Sequence, residues 1–220
     1  MQQLLEALDS LARLGVVHRD VKPENLMVSE REQQPALLTL IDFGYAALLD
    51  GDAANGHGGG LSGVAGSPEY AAPEVLSWLE VEADETGTVE GERYDAGCDV
   101  WSVGVTVHVL LSAELPFELP EEADEAAIVA AARNIELTFA RAEWREEGMD
   151  LAQDFIRRCM TTDRHTRPTA RALLDHPWLG GGGGGSGGAS AAPAPPAANQ
   201  KYVAMLDETV ALEKAAAAKA

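Results

Sequence analysis

A short polar segment near the start of the chain holds the side chains that phosphoryl transfer needs. It reads His18-Arg19-Asp20-Val21-Lys22-Pro23-Glu24-Asn25. Such a transfer requires a carboxylate that orients the attacking hydroxyl, a cation beside the migrating phosphoryl group and oxygen ligands for Mg²⁺. Asp20 would supply the carboxylate, Lys22 the cation and Asn25 a neutral oxygen. Because a tight loop aims these groups at one point, their spacing predicts a phosphoryl-transfer site.

Three further motifs follow in order along the chain. Asp42-Phe43-Gly44 comes after an apolar run of strand length, and its carboxylate is a candidate Mg²⁺ ligand. Residues 66–74 read Gly-Ser-Pro-Glu-Tyr-Ala-Ala-Pro-Glu, and residues 99–105 read Asp-Val-Trp-Ser-Val-Gly-Val. A tripeptide such as Asp-Phe-Gly says little alone. The ordered set leaves little room for a chance polar turn or an unrelated helical scaffold.

These motifs resemble those of the eukaryotic protein Ser/Thr kinases. Residues 18–25 resemble the catalytic loop, and Lys22, two places after Asp20, fits the Ser/Thr-specific pattern. The resemblance covers roughly residues 1–179. It is strongest to the calcium/calmodulin-dependent group, which includes calcium-dependent protein kinases, through Leu-Pro-Phe at 115–117 and His-Pro-Trp-Leu at 176–179.

The resemblance implies a role for each matched residue. Asp20 and Lys22 would be catalytic, and Asn25 and Asp42 would bind Mg²⁺. The nucleotide would contact Met27, Lys22, Asn25 and Asp42. The activation segment would include Asp42, Phe43, Gly44, Ser62, Ser67 and Glu74. Structural support would come from His18, Arg19, Asp99 and Arg167.

Several of these roles are specific enough to be compared with a structure. Ser67 would hydrogen-bond near Asp20 and Lys22, and Glu74 would form a buried ion pair with Arg167. Asp99 would brace the catalytic-loop backbone. Its simpler interpretation is the N-cap of its helix, and the two roles are compatible.

Two roles concern charge recognition. Glu24 would pair with an arginine three residues before the phosphoacceptor of a basic protein substrate. Arg19, a guanidinium beside the catalytic carboxylate, implies a receptor for a phosphate on the activation segment. Ser62 is the candidate phosphorylation site, with an ordinary loop serine as the alternative.

One half of the expected site has no counterpart in the sequence. A kinase begins with a Gly-rich strand pair, then a lysine that holds the nucleotide phosphates. Residues 58–63 formally fit G-x-G-x-x-G, but no strand precedes them and no lysine occurs between Lys22 and Lys201. We therefore expect a C-terminal lobe only, with the N-terminal lobe absent.

Hydrophobic periodicity places the motifs in a mainly α (α+β) fold with one small β-hairpin. The hairpin is predicted from apolar runs at 26–28 and 37–41, and an almost uniformly apolar stretch at 99–111 predicts a buried central helix. Residues 49–66 and the acidic stretch 80–93 read as loops. Other helices are predicted at 2–15, 122–134, 148–160 and 168–175.

Composition divides the chain into three parts. Residues 1–179 hold the kinase-like domain. Residues 180–199 form a Gly/Ala/Pro-rich linker that is expected to be disordered, and residues 200–220 form a tail with a possible helix.

Charge and cysteine usage exclude several partners. A formal net charge of −20 argues against binding to nucleic acid or to an anionic membrane. Cys98 and Cys159 show no zinc spacing and are expected to be buried thiols in a cytoplasmic or nuclear protein. The sequence lacks an EF-hand calcium loop, so direct Ca²⁺ control is not expected.

Two functions are weighed. The first is an ATP-dependent protein Ser/Thr kinase that uses Mg²⁺ and is present here as a fragment, inactive by itself. The second is a non-catalytic, pseudokinase-like protein-binding module. Loss of catalytic-loop residues would favour the second, and none of them is lost.

Overall fold

The computed structural model describes residues 1–31, 34–49, 60–81, 91–117 and 124–180. These residues form a mainly helical lobe with two small antiparallel sheets, in agreement with the predicted fold class. Three predicted segments lie wholly or largely outside the described residues. They are the loop at 49–66, of which 50–59 are not described, the acidic stretch at 80–93, of which 82–90 are not described, and the linker and tail from 181 onward.

The centre of the lobe is the helix α3, Gly97–Ser112, of which thirteen of sixteen residues are buried. Its apolar residues are distributed around the whole circumference, as expected for a helix enclosed on all sides. Gly104 allows a close approach, because a Cβ there would lie 2.5 Å from Cγ of Met160. The predicted central helix is therefore correct, although it begins two residues earlier than expected.

The helix α1, Gln2–Arg13, buries Leu4, Leu5 and Leu8 and ends just before Gly15, whose φ is 71°. A two-residue strand β1, Val16–Val17, follows and pairs antiparallel with β4, Ala47–Leu48. This pairing, which the sequence did not predict, brings the start of the polar segment at His18 beside the segment that precedes β4.

The predicted hairpin is present and consists of β2, Leu26–Arg31, and β3, Gln34–Leu40. Leu26 faces Leu40 in its register. The pairing continues one step further, because the amide of Ile41 donates to the carbonyl of Asn25 at 2.9 Å. The hairpin thus places Asn25 and the Asp42 turn at one end of the same sheet.

The remaining helices are short or surround α3. They are α2, Pro73–Leu76; α4, Glu125–Arg133; α5, Met149–Cys159; and α6, Ala170–Leu173. The last three lie inside the predicted ranges and are shorter than predicted, while α2 was not predicted. Both cysteines are free and buried. Within the described ranges, no helix has the length and apolar character needed to cross a bilayer.

Candidate active site

The carboxylate of Asp20 lies at the centre of a network of donors. Only 3% of this residue is exposed. Its Oδ1 accepts from the amide of Ser67 at 3.0 Å, and its Oδ2 accepts from Nδ2 of Asn25 at 2.9 Å. The ammonium of Lys22 lies 3.0 Å from the same Oδ2. Every one of these donors favours the ionised carboxylate.

Two opposing effects act on the pKa of Asp20. Burial, the largest single influence, raises it. Hydrogen bonds from Lys22, Ser67 and Asn25, together with the charge of Lys22, lower it, and the net result is a pKa below the ordinary 3.8. Asp20 is therefore an ionised hydrogen-bond acceptor at neutral pH.

Lys22 connects the catalytic segment to the motif at 66–74. Its Nζ donates to Oγ of Ser67 at 2.7 Å while it pairs with Asp20. The structure thus brings together three of the predicted residues, Asp20, Lys22 and Ser67, although Lys22 and Ser67 are 45 residues apart.

The carboxylate of Asp99 holds the backbone at the start of the loop. Its Oδ2 accepts from the amide of His18, and its Oδ1 accepts from the amide of Arg19, both at 2.8 Å. The alternative that Asp99 is an N-cap is wrong, because α3 begins at Gly97 and Asp99 is its third residue. An acidic residue in the first helical turn also interacts favourably with the helix dipole.

His18 is fully buried and joins three parts of the site. Its Nε2 lies 3.1 Å from the carbonyl of Ile41, and its Nδ1 lies 3.3 Å from the amide of Asp20. Because an amide only donates and a carbonyl only accepts, both contacts are satisfied by an imidazole that carries its proton on Nε2. The ring of Phe43, otherwise half exposed, packs edge-on against it at a centroid distance of 4.8 Å.

The two predicted Mg²⁺ ligands have oxygen atoms suited to that ion. The amide nitrogen of Asn25 donates to the carbonyl and carboxylate of Asp20, so its side-chain oxygen is the atom turned away from Asp20. Asp42 is exposed, has a φ of 61°, and uses one carboxylate oxygen to accept from the amide of Gly44 at 3.0 Å. Its second oxygen and the side-chain oxygen of Asn25 are of the type that Mg²⁺ prefers, so these two atoms would hold the ion.

Gly66 is needed where the motif at 66–74 meets the catalytic loop. Its φ is 83°, and a Cβ at this position would lie 2.0 Å from the carbonyl oxygen of Arg19. Since no larger residue fits this contact, Gly66 sets the position of Ser67 relative to Asp20.

Glu74 and Arg167 form a bidentate ion pair in the interior. Nη1 lies 2.6 Å from Oε1 and Nη2 lies 3.0 Å from Oε2. The Arg167 side chain is fully buried and also donates to the carbonyls of Thr161 and Gly97. This pair fixes the end of the 66–74 motif to the segment after α5.

The structure does not place every predicted residue within this network. Met27 lies on β2 and is 39% exposed. Ser62 is exposed, and it makes no side-chain hydrogen bond within the described part of the chain. The guanidinium of Arg19 contacts the carbonyl of Tyr45 and the hydroxyl of Tyr94, not a carboxylate.

Two acidic residues, Glu24 and Glu69, lie near one tyrosine, and the sequence predicted a role for only one of them. The pKa of Tyr70 is raised to about 12, first by burial and then by the charges of Glu24 and Glu69. Glu24 was predicted to bind substrate and Glu69 was not. Both carboxylates are thus near the Tyr70 side chain. Only the tertiary structure places Glu24 and Glu69 near the same residue, Tyr70.

Comparisons with known proteins agree with this geometry. The protein kinase domain family matches residues 1–179. Serine/threonine-protein kinase PEPKR2 of Arabidopsis thaliana is 36% identical over 178 residues, which are 81% of this chain and 32% of the relative.

Two other relatives carry the names of calcium-regulated kinases. Calcium/calmodulin-dependent protein kinase type 1 of Macrobrachium nipponense is 33% identical over 82% of this chain and 45% of the relative. Calcium-dependent protein kinase 2 of Arabidopsis thaliana is 34% identical over 80% of this chain and 23% of the relative. The matched region thus spans less than half of each of these relatives. Because the family match covers most of the sequence and includes every motif of the site, the chain belongs to the protein kinase family.

Proposed function

We propose that this chain contributes the catalytic-loop half of an ATP-dependent protein serine/threonine kinase, which transfers the γ-phosphoryl group of MgATP to hydroxyls of proteins. The observation that carries the proposal is the Asp20 carboxylate, held ionised by Ser67, Asn25 and Lys22. A fixed, ionised carboxylate beside a cation is what orientation of an attacking hydroxyl requires.

Each residue has a distinct task in this proposal. Asp20 accepts the proton of the attacking hydroxyl, and Lys22 places its positive charge beside the migrating phosphoryl group. Ser67 holds Lys22 through its Oγ, which keeps the ammonium beside Asp20. Mg²⁺, held through Asn25 and Asp42, would neutralise charge on the phosphates when the nucleotide is bound.

We further propose that the residues that cover the nucleotide are not among these 220. Nine large apolar side chains are exposed among the described residues, and seven of them support this idea, because they lie on the strands β1–β4 or within three residues of them. They are Leu14, Met27, Val28, Leu37, Phe43, Tyr45 and Leu48. An apolar surface of this kind is typical of a face that another part of a protein covers.

The proposal predicts that purified 1–220 has negligible kinase activity and weak ATP affinity. The described residues include no Gly-rich strand pair, and Lys22 is the only lysine among them, so the part of a kinase that covers the nucleotide phosphates is not found there. A chimera that joins the nucleotide-covering half of a calcium/calmodulin-dependent kinase type 1 to this chain is expected to phosphorylate Ser/Thr peptides. Transfer of labelled phosphate from ATP measures both proteins.

Two outcomes would contradict this proposal. Robust autophosphorylation by 1–220 that disappears in Asp20→Asn would show that the chain is sufficient for catalysis. A folded chimera that binds ATP but transfers no phosphate would favour the alternative, a protein-binding module without activity. Sequence encoded upstream of Met1 offers an independent check, because it should contain a Gly-rich strand pair followed by a lysine.

For the substrate, we propose a protein with basic residues before the phosphoacceptor. Glu24 and Glu69 lie close enough to Tyr70 for both to raise its pKa, so two negative charges border one side chain of the 66–74 motif. The net charge of −20 favours basic partners as well.

The substrate preference can be measured with Glu24→Gln in the chimera. We expect the wild-type site to prefer peptides with arginine three residues before the serine. The substitution should reduce that preference about tenfold by raising KM for the arginine peptide, since a charged hydrogen bond is lost. Glu6→Gln on α1 is the matched control and should leave the preference unchanged. Equal rates for arginine and alanine peptides with the wild-type site would refute the assignment.

A further inference from the structure

The buried polar side chains of the central helix α3 lie on two opposite faces. They are Asp99, Ser102, Thr106, His108 and Ser112. Because successive residues of an α-helix are turned by about 100°, the first three fall within one sector of about 60°. His108 and Ser112 point in the opposite direction by the same geometry. A helix that is otherwise apolar therefore carries one polar face made of Asp99, Ser102 and Thr106.

This polar face contacts the backbone of both segments that form the candidate site. Asp99 accepts from two amides of the catalytic loop, both at 2.8 Å. One turn later, the hydroxyl of Ser102 donates to the carbonyl of Tyr70 at 2.7 Å. The hydroxyl of Thr106 contacts the carbonyl of Val21 at 3.4 Å. The catalytic loop and the 66–74 motif are thus bound to one face of the same helix.

The bond from Ser102 to Tyr70 is the stronger of the two that its hydroxyl makes. Ser102 is buried, and its Oγ also lies 3.1 Å from the carbonyl of Cys98 in its own helix. Because a hydroxyl has one proton to donate, the shorter contact at 2.7 Å takes the larger share of it. The main partner of Ser102 is therefore outside α3, in the 66–74 motif.

The turn that Ser102 holds carries the atoms that contact the catalytic groups. The amide of Tyr70 donates to the carbonyl of Ser67 at 3.0 Å and closes the turn 67–70. The amide of Ser67 donates to Asp20, and its hydroxyl accepts from Lys22. A displacement of Tyr70 therefore moves Ser67, and with it both contacts to the catalytic loop.

We propose that Ser102 is a positioning residue for phosphoryl transfer: its hydroxyl fixes the turn 67–70 on the face of α3 that also holds the catalytic loop. The distance between Ser67 and Asp20 is then set by two side chains one helical turn apart, Ser102 and Asp99. The inference rests on the proposed kinase function and adds a residue to its site. Ser102 acts on the reacting groups only through Ser67.

Hydrogen exchange of the full chain, without nucleotide, tests this role. Ser102→Ala removes only the hydroxyl. The amides of Ser67, Tyr70 and Ala71 are the reporters, because each donates a hydrogen bond in the structure, at 3.0, 3.0 and 3.2 Å. We expect these three amides to exchange about fivefold faster in the variant, the effect of losing one typical hydrogen bond.

Ser112→Ala is the matched control, because it makes the same change on the opposite face of the same helix. Ser112 is buried and donates to a carbonyl four residues earlier, that of His108, as Ser102 does to that of Cys98. Within the described part of the chain, its hydroxyl contacts neither the catalytic loop nor the 66–74 motif. The three reporter amides should therefore exchange at the wild-type rate in this control.

The chemical reactivity of Lys22 separates positioning of the site from a merely stabilising role. Its ammonium is bonded to Ser67 and Asp20, and its side chain is only 22% exposed. Release of Ser67 should raise the rate of Lys22 acetylation by an N-hydroxysuccinimide ester about twofold to fivefold in Ser102→Ala. Ser112→Ala should leave this rate unchanged. The three lysines of the tail, measured in the same digest, are the internal reference.

Any of three results would overturn the role of Ser102: unchanged exchange of the reporter amides in Ser102→Ala, equal acceleration in Ser112→Ala, or an unchanged rate of Lys22 acetylation. If Ser102→Ala shows no cooperative thermal transition, Ser102→Cys, which has only a weak S–H donor, takes its place with the same expected accelerations. No phosphoryl transfer is measured in these experiments. An inactive chimera therefore contradicts the kinase proposal alone, and unchanged exchange contradicts the Ser102 proposal alone.

Discussion

Replacement of Asp20 by asparagine in the active chimera is expected to lower kcat by about 10²- to 10⁴-fold, the range typical of a lost general base. Asparagine keeps the shape and can still accept from the amide of Ser67, but it cannot take a proton from the attacking hydroxyl. KM for ATP should change little, because Asp20 is not among the proposed nucleotide contacts. Initial rates at saturating ATP and peptide measure the effect.

The control for this substitution is Asp9→Asn on α1. Asp9 pairs with Arg13 at 3.2 Å within α1, so the same chemical change is made away from the site. Its kcat should equal that of the unmodified chimera. A loss of less than tenfold in Asp20→Asn, with an unchanged melting temperature, would contradict the role of Asp20 as the base.

Glu74→Gln is expected to lower the free energy of unfolding by about 3–5 kcal/mol, because it leaves a buried guanidinium without its counter-charge. Arg167 would keep its bonds to the carbonyls of Thr161 and Gly97, which are neutral acceptors. The geometry of the site should be disturbed as well, because Glu74 is the last residue of the motif that contains Ser67. Urea denaturation of 1–220 at neutral pH measures the change.

The matched control is Glu80→Gln, which removes a surface ion pair. Arg133 lies 2.7 Å from Glu80, and both side chains are largely exposed to solvent. Such pairs contribute about 0–1 kcal/mol, so the control should be nearly neutral. Equal losses in the two variants would show that burial of the Glu74–Arg167 pair does not decide its effect.

The grouping of Asp20, Lys22 and Asn25 could be predicted from the sequence because it is local. Asp20, Lys22 and Asn25 lie within six residues of one another, and a short loop can only place them around one point. The central helix could be predicted equally well, since an apolar stretch without periodicity indicates burial on all sides. The first residue of this helix could not be predicted, and Asp99 was therefore mistaken for an N-cap.

Other features could not be predicted, because they depend on contacts between distant segments. Two-residue strands such as β1 and β4 are too short to show alternation, so their pairing left no signal. Asp99 reaches the amide of His18 across 81 residues, and no spacing rule states such a contact. The bond from Arg19 to Tyr94 spans 75 residues, and a tyrosine before a helix has no pattern that marks it as a partner of the catalytic loop.

The segment at 18–25 shows most clearly what the sequence and the tertiary structure each determine. The sequence by itself determined which groups are available there and which reaction they suit, because residue type and short-range spacing set chemical capacity. Only the tertiary structure decided the state of those groups: Asp20 ionised by three donors, Lys22 tied to Ser67, and Arg19 bonded to the hydroxyl of Tyr94. Packing of α3 and of segment 60–67 against the loop sets these states, because it determines which distant atoms come within hydrogen-bond distance.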